Sequence, residues 1–149
     1  MSEKEIIDNI LEDYRIVAIV GLSKDPTKES YRVGQFIQSK GYRIIPINPS
    51  ADQILGEKSY KSLIEMPEKL KNTVEVVDIF RPSADVPPIV DESIELKKKH
   101  GKPYVIWMQL GVINQESATK TKEVGLTVIM DRCIMNERRK RDKRRGRRT

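Results

Sequence analysis

The chain of 149 residues contains one cysteine, Cys133, and one histidine, His100. A single thiol cannot close an internal disulfide, which suits a reducing compartment and excludes the disulfide-stapled secreted scaffolds. No His/Cys/acid spacing of the metal-ligand kind is present, and neither is a G-x-S-x-G elbow nor a P-loop. No apolar run approaches the roughly 20 residues needed to cross a bilayer. The opening Met1-Ser-Glu-Lys-Glu-Ile-Ile-Asp8 is charged and lacks a signal-peptide core. No internal repeat is evident. These absences lead to the expectation of a soluble, cytoplasmic protein without membrane attachment, of single-domain length and able to bury a real core.

The net charge of +6 is unevenly placed. Residues 136–149 carry nine Lys or Arg against Glu137 and Asp142, a net of +7, and the remaining 19 basic and 20 acidic groups leave residues 1–135 at −1. A near-neutral domain over 1–135 followed by a basic tail over 136–149 is therefore expected. Such a block repels itself and stays solvated or frayed. Non-specific contact with RNA or another polyanion is the function it could serve.

Five short Val/Ile-rich runs alternate with amphipathic stretches. Residues 3–13 place Ile6, Ile7, Ile10 and Leu11 at helical spacing. Strands are expected over 15–20, 42–47, 74–80, 104–108 and 126–130. Helices are expected from Ser30 to Gly41, around 66–70, over 86–100 and over 114–123, with a last helical segment from Asp131 that merges into the tail. Residues 50–58 read as irregular. The alternation predicts an α/β protein with a doubly wound, five-stranded parallel sheet, and the order drawn from it is 3-2-1-4-5. Ligands of such sheets bind at the carboxyl ends of the strands.

The chemistry-bearing residues cluster at those ends. Ile16-Val-Ala-Ile-Val-Gly-Leu-Ser23 is an apolar strand running into a glycine turn. Gly21 allows a tight turn, and the amides after it can face a phosphate near the next helix. Ser23 and Ser30 add hydroxyls there, and Lys24 and Lys28 add charge. Only the first glycine of G-x-G-x-x-G is present. The second strand ends Ile44-Ile-Pro-Ile-Asn-Pro49, without the acid that would hold the ribose of NAD. Asn48 with nearby Lys58 instead tolerates a phosphate on the ribose, as in NADP or coenzyme A, although Asn48-Pro49 also reads as a simple turn pair. Phe80 and Arg81 end the third strand, where Arg81 can bond a phosphate and Phe80 can line a pocket. Trp107, Gln109 and Gly111 end the fourth, and Trp107 reads equally as core or as cover for a thiol arm. Cys133 follows the fifth strand, where a thiol at a helix N-terminus gains acidity. His100 falls at a helix end on the opposite edge, so no catalytic set is assembled.

In combination, Val20-Gly-Leu-Ser-Lys-Asp-Pro26 with Ser30, Gly41-Tyr42 with Pro46-Ile-Asn-Pro49, and Ile54-Leu-Gly56 with Tyr60-Lys-Ser-Leu63 resemble the stand-alone CoA-binding domain proteins. Asp78-Ile-Phe-Arg-Pro82, Trp107-Met-Gln-Leu-Gly111 and Gly125-Leu126 with Asp131-Arg-Cys133 extend the resemblance over about residues 5–140. These proteins are relatives of the nucleotide-binding domain of the succinyl-CoA synthetase α subunit. The resemblance implies a Rossmann-like fold holding coenzyme A or an acyl-CoA across the strand mouths. Its contacts would come from Gly21, Leu22, Ser23, Lys24, Ser30, Asn48, Pro49, Lys58, Phe80, Arg81, Trp107, Gln109 and Gly111. The synthetase chemistry needs further domains and a phosphorylated histidine, which this chain does not offer. The expectation is a non-catalytic binding, carrier or sensor protein, monomeric or homodimeric. An NADP-dependent enzyme and an RNA-associated protein acting through the tail are the rival readings, and a mixed disulfide between Cys133 and the CoA thiol is an extension of the first.

Overall fold

The computed structural model describes residues 1–146; the end of the basic segment, Arg147 to Thr149, lies outside the described residues. Helix α1 (Glu3–Asp13) opens the chain with Ser2 capping the Glu5 amide, and its Ile7, Ile10 and Leu11 are buried. Then follow β1 (Ile16–Val20), α2 (Glu29–Ser39), β2 (Arg43–Ile47), a small hairpin of β3 (Gln53–Ile54) and β4 (Glu57–Lys58), and α3 (Glu68–Lys71). The second half holds β5 (Val76–Ile79), α4 (Val86–His100), β6 (Val105–Met108), α5 (Gln115–Glu123), β7 (Thr127–Ile129) and α6 (Ile134–Gly146). Residues 50–58, expected to be irregular, thus contain a two-stranded hairpin.

The five long strands are all parallel, in the order β2-β1-β5-β6-β7. Alternation of side chains splits the core across both faces. Val17, Ile19, Val76, Val105 and Trp107 pack with α1, α2 and α6, while Ala18, Val20, Val77, Ile79, Ile106 and Met108 pack with α4 and α5. Helices on both faces make the sheet doubly wound, as the sequence predicts.

The order corrects the expectation of 3-2-1-4-5: among the five long strands it is 2-1-3-4-5. The reason lies in Pro46. Its carbonyl accepts the Tyr60 amide, and the Asn48 amide donates to the Tyr60 carbonyl, so the outer edge of β2 is taken by the returning loop. Because N and O of one residue point to the same side of a strand, the missing N–H of Pro46 faces that edge too. A proline so placed belongs to an edge strand, not an interior one. The chain therefore crosses back over β1, and β5 becomes the central strand. Successive connections leave β1 in opposite directions, which opens a crevice between the carboxyl ends of β1 and β5.

Helix α6 carries the basic block, and through Gly146 that block is a docked helix instead of a frayed tail. Arg141 is only 5% exposed and pairs with Glu12 of α1. Arg145 reaches the same Glu12 at 3.0 Å, and Arg144 bonds both oxygens of Asp8 at 2.5 and 2.6 Å. Asp8 and Glu12, one turn apart on α1, face basic residues three and four apart on α6. Arg138 donates to the Tyr42 hydroxyl at 2.9 Å, and that hydroxyl donates to the Leu11 carbonyl at 2.5 Å.

Candidate functional site

A cleft of about 400 Å³ lies at the carboxyl ends of β1, β2 and β5, within the range of small-molecule sites. Gly21 and Ser23 form one wall, Ile47 to Ser50 a second, Lys61 to Leu63 a third, and Arg81 with Asp85, Ile89 and Glu92 of the α4 region a fourth.

Gly21 is required on two counts. Its φ is +90°, and a Cβ there would stand 2.3 Å from the Phe80 carbonyl oxygen, so the turn after β1 runs directly against the end of β5. The turn is tied internally: the Gly21 amide donates to the Ile47 carbonyl, the Ser23 amide to Ser30 Oγ, and the Asp25 amide to Ser23 Oγ. Asp25 accepts from the amide and hydroxyl of Thr27, and these bonds hold its carboxyl below the usual range. The amides of Gly21 and Ser23 are thus committed to the protein.

Asn48 is a clip. Its Nδ2 donates to the Leu22 carbonyl at 2.9 Å, and its Oδ1 accepts the Ser50 amide at 2.8 Å. An acid at this position could make only the second bond.

The cleft contains two cations. Lys61 is exposed and has no ion-pair partner among the described residues, whereas Arg81 Nη2 lies 2.8 Å from Asp85 Oδ2. On the same wall, Glu92 is half-buried and its Oε1 accepts the Leu63 amide at 3.1 Å; burial raises its pKa, with the Leu63 and Ile64 amides opposing.

Of the residues singled out in the sequence, Gly21, Ser23, Asn48, Pro49 and Arg81 meet in this cleft. Several others lie elsewhere. Leu22 is fully buried, and Ser30 is buried with its hydroxyl on the Ser23 amide. Lys24 is exposed beyond the lining, and Lys58 sits on the hairpin with Nζ 5.6 Å from the Tyr60 ring centroid. Phe80 turns to the α2 side of the sheet and packs on the core there. Trp107 is completely buried and donates Nε1–H to the Arg132 carbonyl at 2.8 Å, so it fills the core and covers no ligand arm. Gln109 is buried and accepts the Ile134 amide at the start of α6, and Gly111 donates its amide to Asp131. Cys133 is 7% exposed within the core. His100 ends α4 with Nδ1 2.6 Å from Asn72 Oδ1, away from the cleft.

Sequence reasoning missed Ser50, Lys61, Ser62, Asp85 and Glu92. Lys61 and Ser62 stand inside the quoted Tyr60-Lys-Ser-Leu63 run, and the signal was its return to the edge of β2. Asp85 and Glu92 could have been found from the spacing 85, 89, 92, which puts them with Ile89 on one helical face.

Among the described residues no helix is long and apolar enough to cross a membrane, and no three His, Cys, Asp or Glu groups are placed to hold a metal. The sheet order and the cleft at its switch point define a Rossmann-like α/β binding domain. The chain belongs to the family described as the CoA binding domain, whose model matches residues 15–139. It is 38% identical over 131 residues to the Bacillus subtilis protein YneT, covering 88% of this chain and 90% of that one. It is 34% identical over 126 residues to the ADP-forming acetate–CoA ligase of Methanocaldococcus jannaschii, covering 79% of this chain but 17% of the ligase. Among solved structures, a Pyrococcus horikoshii protein superposes with a TM-score of 0.83 at 31% identity, covering 93% of this chain and 92% of that one. A Ca. Korarchaeum cryptofilum acetyl-coenzyme A synthetase shares the fold, with a TM-score of 0.66 at 24% identity over 83% of this chain and 27% of that one.

Proposed function

We propose that the chain binds coenzyme A or an acyl-CoA through the cleft at the ends of β1, β2 and β5, as a non-catalytic binding, carrier or sensor protein. The observation that carries this reading is the pair of cations, Lys61 and Arg81, that line a crevice together with the glycine turn after β1. Two cations with the Ser50 and Ser23 hydroxyls fit a ligand carrying more than one phosphate group. Asn48, occupied in holding the turn, brings no negative charge to a phosphorylated ribose. When bound, coenzyme A supplies a thiol that carries acyl groups as thioesters.

A binding role is favoured over catalysis because the groups that could act on a thioester are withheld. Cys133 is buried in the core, and His100 sits beyond the far end of the sheet.

Calorimetric titration with CoA, acetyl-CoA, dephospho-CoA and NADP in parallel tests the reading. Binding of CoA that weakens without the 3′-phosphate is the expected result. Heat with NADP and none with CoA would overturn it.

A further inference from the structure

One cation of the cleft is engaged by a carboxylate of the protein itself. Arg81 is the cation nearest the end of the central strand, and its guanidinium is held by Asp85 four residues on, at 2.8 Å. Asp85 is the N-cap residue of α4, yet its carboxylate makes no cap bond. An N-cap aspartate takes the amides of the second or third helical residue. Here those positions are Pro87 and Pro88, which have no N–H. The two prolines remove the donors that would draw Asp85 onto its own helix, and the carboxylate turns instead to Arg81. Both partners stand about half exposed, with side chains 50% and 47% accessible, and both line the cleft. A dianionic group entering there competes directly with the carboxylate.

Resting on the assignment of this cleft to coenzyme A, we propose that Asp85 is a specificity-determining competitor. It occupies Arg81 in the free protein, is exchanged for a ligand phosphate on binding, and thereby sets how strongly anionic a group must be to engage Arg81, a threshold that a dianionic phosphate passes and that leaves neutral fragments unaffected. No bond is made or broken. Arg81 trades a monoanionic carboxylate for a phosphate, while Asp85 is released to water. Because an exposed i,i+4 pair is weak, the exchange is reversible and inexpensive.

The test compares wild type with D85N, R81Q, the double variant, and D91N, which removes an acid of the same helix that pairs with Lys120 outside the cleft. The probes are CoA, inorganic pyrophosphate and adenosine. D85N is expected to bind CoA and pyrophosphate about two- to fivefold more tightly, combining loss of a weak pair with loss of a like charge beside the phosphate. Adenosine binding and the D91N variant should stay at the wild-type level, and the double variant should be no tighter than R81Q. In the arginine side-chain NMR spectrum, the Arg81 signal should move on adding pyrophosphate to the wild type. Weaker or unchanged CoA binding by D85N would show that Asp85 only orients Arg81, and an equal gain in D91N would reduce the effect to net charge; either overturns the competitor role while leaving CoA binding intact. A D85N gain with pyrophosphate but no CoA binding by any variant would instead overturn the CoA assignment and keep the exchange. Silence of every probe overturns both.

Discussion

The side-chain amide of Asn48 donates to the carbonyl of Leu22 at 2.9 Å, fastening the end of β2 to the turn that follows β1. The bond spans 26 residues of sequence and fixes two walls of the cleft relative to each other. N48D retains an acceptor for the Ser50 amide but sets a second carboxylate oxygen against the Leu22 carbonyl. A donor lost from a half-buried site costs about 1–3 kcal/mol. The urea midpoint of N48D should fall accordingly, and CoA affinity should fall with it because the cleft gains a negative charge. N48D as stable as wild type would show that the clip is dispensable.

Lys61 and Lys58 separate the cleft from its surroundings. Lys61 lines it without an ion-pair partner among the described residues, while Lys58 rests near the Tyr60 ring on the hairpin. A charge-assisted bond to phosphate contributes about 1.5–3 kcal/mol. K61A should therefore weaken CoA binding by about tenfold or more, and K58A by less than about twofold. Calorimetry on the two variants checks this, and the reverse ranking would return the ligand to the hairpin side.

Which of these residues could be read in advance depended on how far along the chain their partners lie. The strand and helix periods were legible because they are local: α4 begins and ends where the sequence indicates, at Val86 and His100. The glycine turn was legible because Gly21 must have positive φ. The sheet order was not, although Pro46 held the clue, since its edge meaning appears only with the partner across the strand. Asn48 drew attention as a residue at a strand mouth, but its role comes from Leu22, a contact no spacing reveals. Trp107 reads equally as core and as ligand contact, and Gln109 as a ligand contact, because their partners, the Arg132 carbonyl and the Ile134 amide, lie 25 residues on, beyond any local spacing.

The basic segment illustrates the same limit. Read alone it repels itself; in the fold it meets Asp8 and Glu12, more than 120 residues away. Burial lowers the Arg141 pKa, with Arg145 beside it adding to the effect, so removing the Glu12 charge leaves a buried cation poorly compensated. Glu12 itself is half exposed, which moderates the cost. E12Q should lose about 1–2 kcal/mol of stability at low salt. The gap between E12Q and wild type should narrow as sodium chloride rises towards 1 M, because the Debye length shrinks to about 3 Å. Denaturant unfolding of both proteins at two salt concentrations measures this. A salt-independent gap would mean that Glu12 acts by packing alone.

Asp78 carries the sharpest pH prediction, and its burial follows from the corrected strand order. Under 3-2-1-4-5 its strand would be an edge; in the observed sheet β5 is central, and Asp78 is paired in register with Ile19 on one side and Trp107 on the other. It is 0% exposed, and neither carboxyl oxygen has a hydrogen-bond partner among the described residues. Burial pushes its pKa well above the ordinary range, with only the Ile79 amide favouring the ionised form. In the unfolded chain the same carboxyl titrates near about pH 3.9. Above that pH the unfolded state releases a proton that the native state keeps, so stability falls by about 1.4 kcal/mol per pH unit until the folded pKa is reached. Below the unfolded pKa both states are protonated and the loss vanishes. D78N keeps the shape and cannot ionise, so it should match wild type near pH 3 and become progressively more stable than wild type as pH rises. Urea midpoints of the two proteins between pH 3 and pH 8 measure the divergence. If D78N is the weaker protein at pH 7, the carboxylate is ionised in the native state and held by a charge.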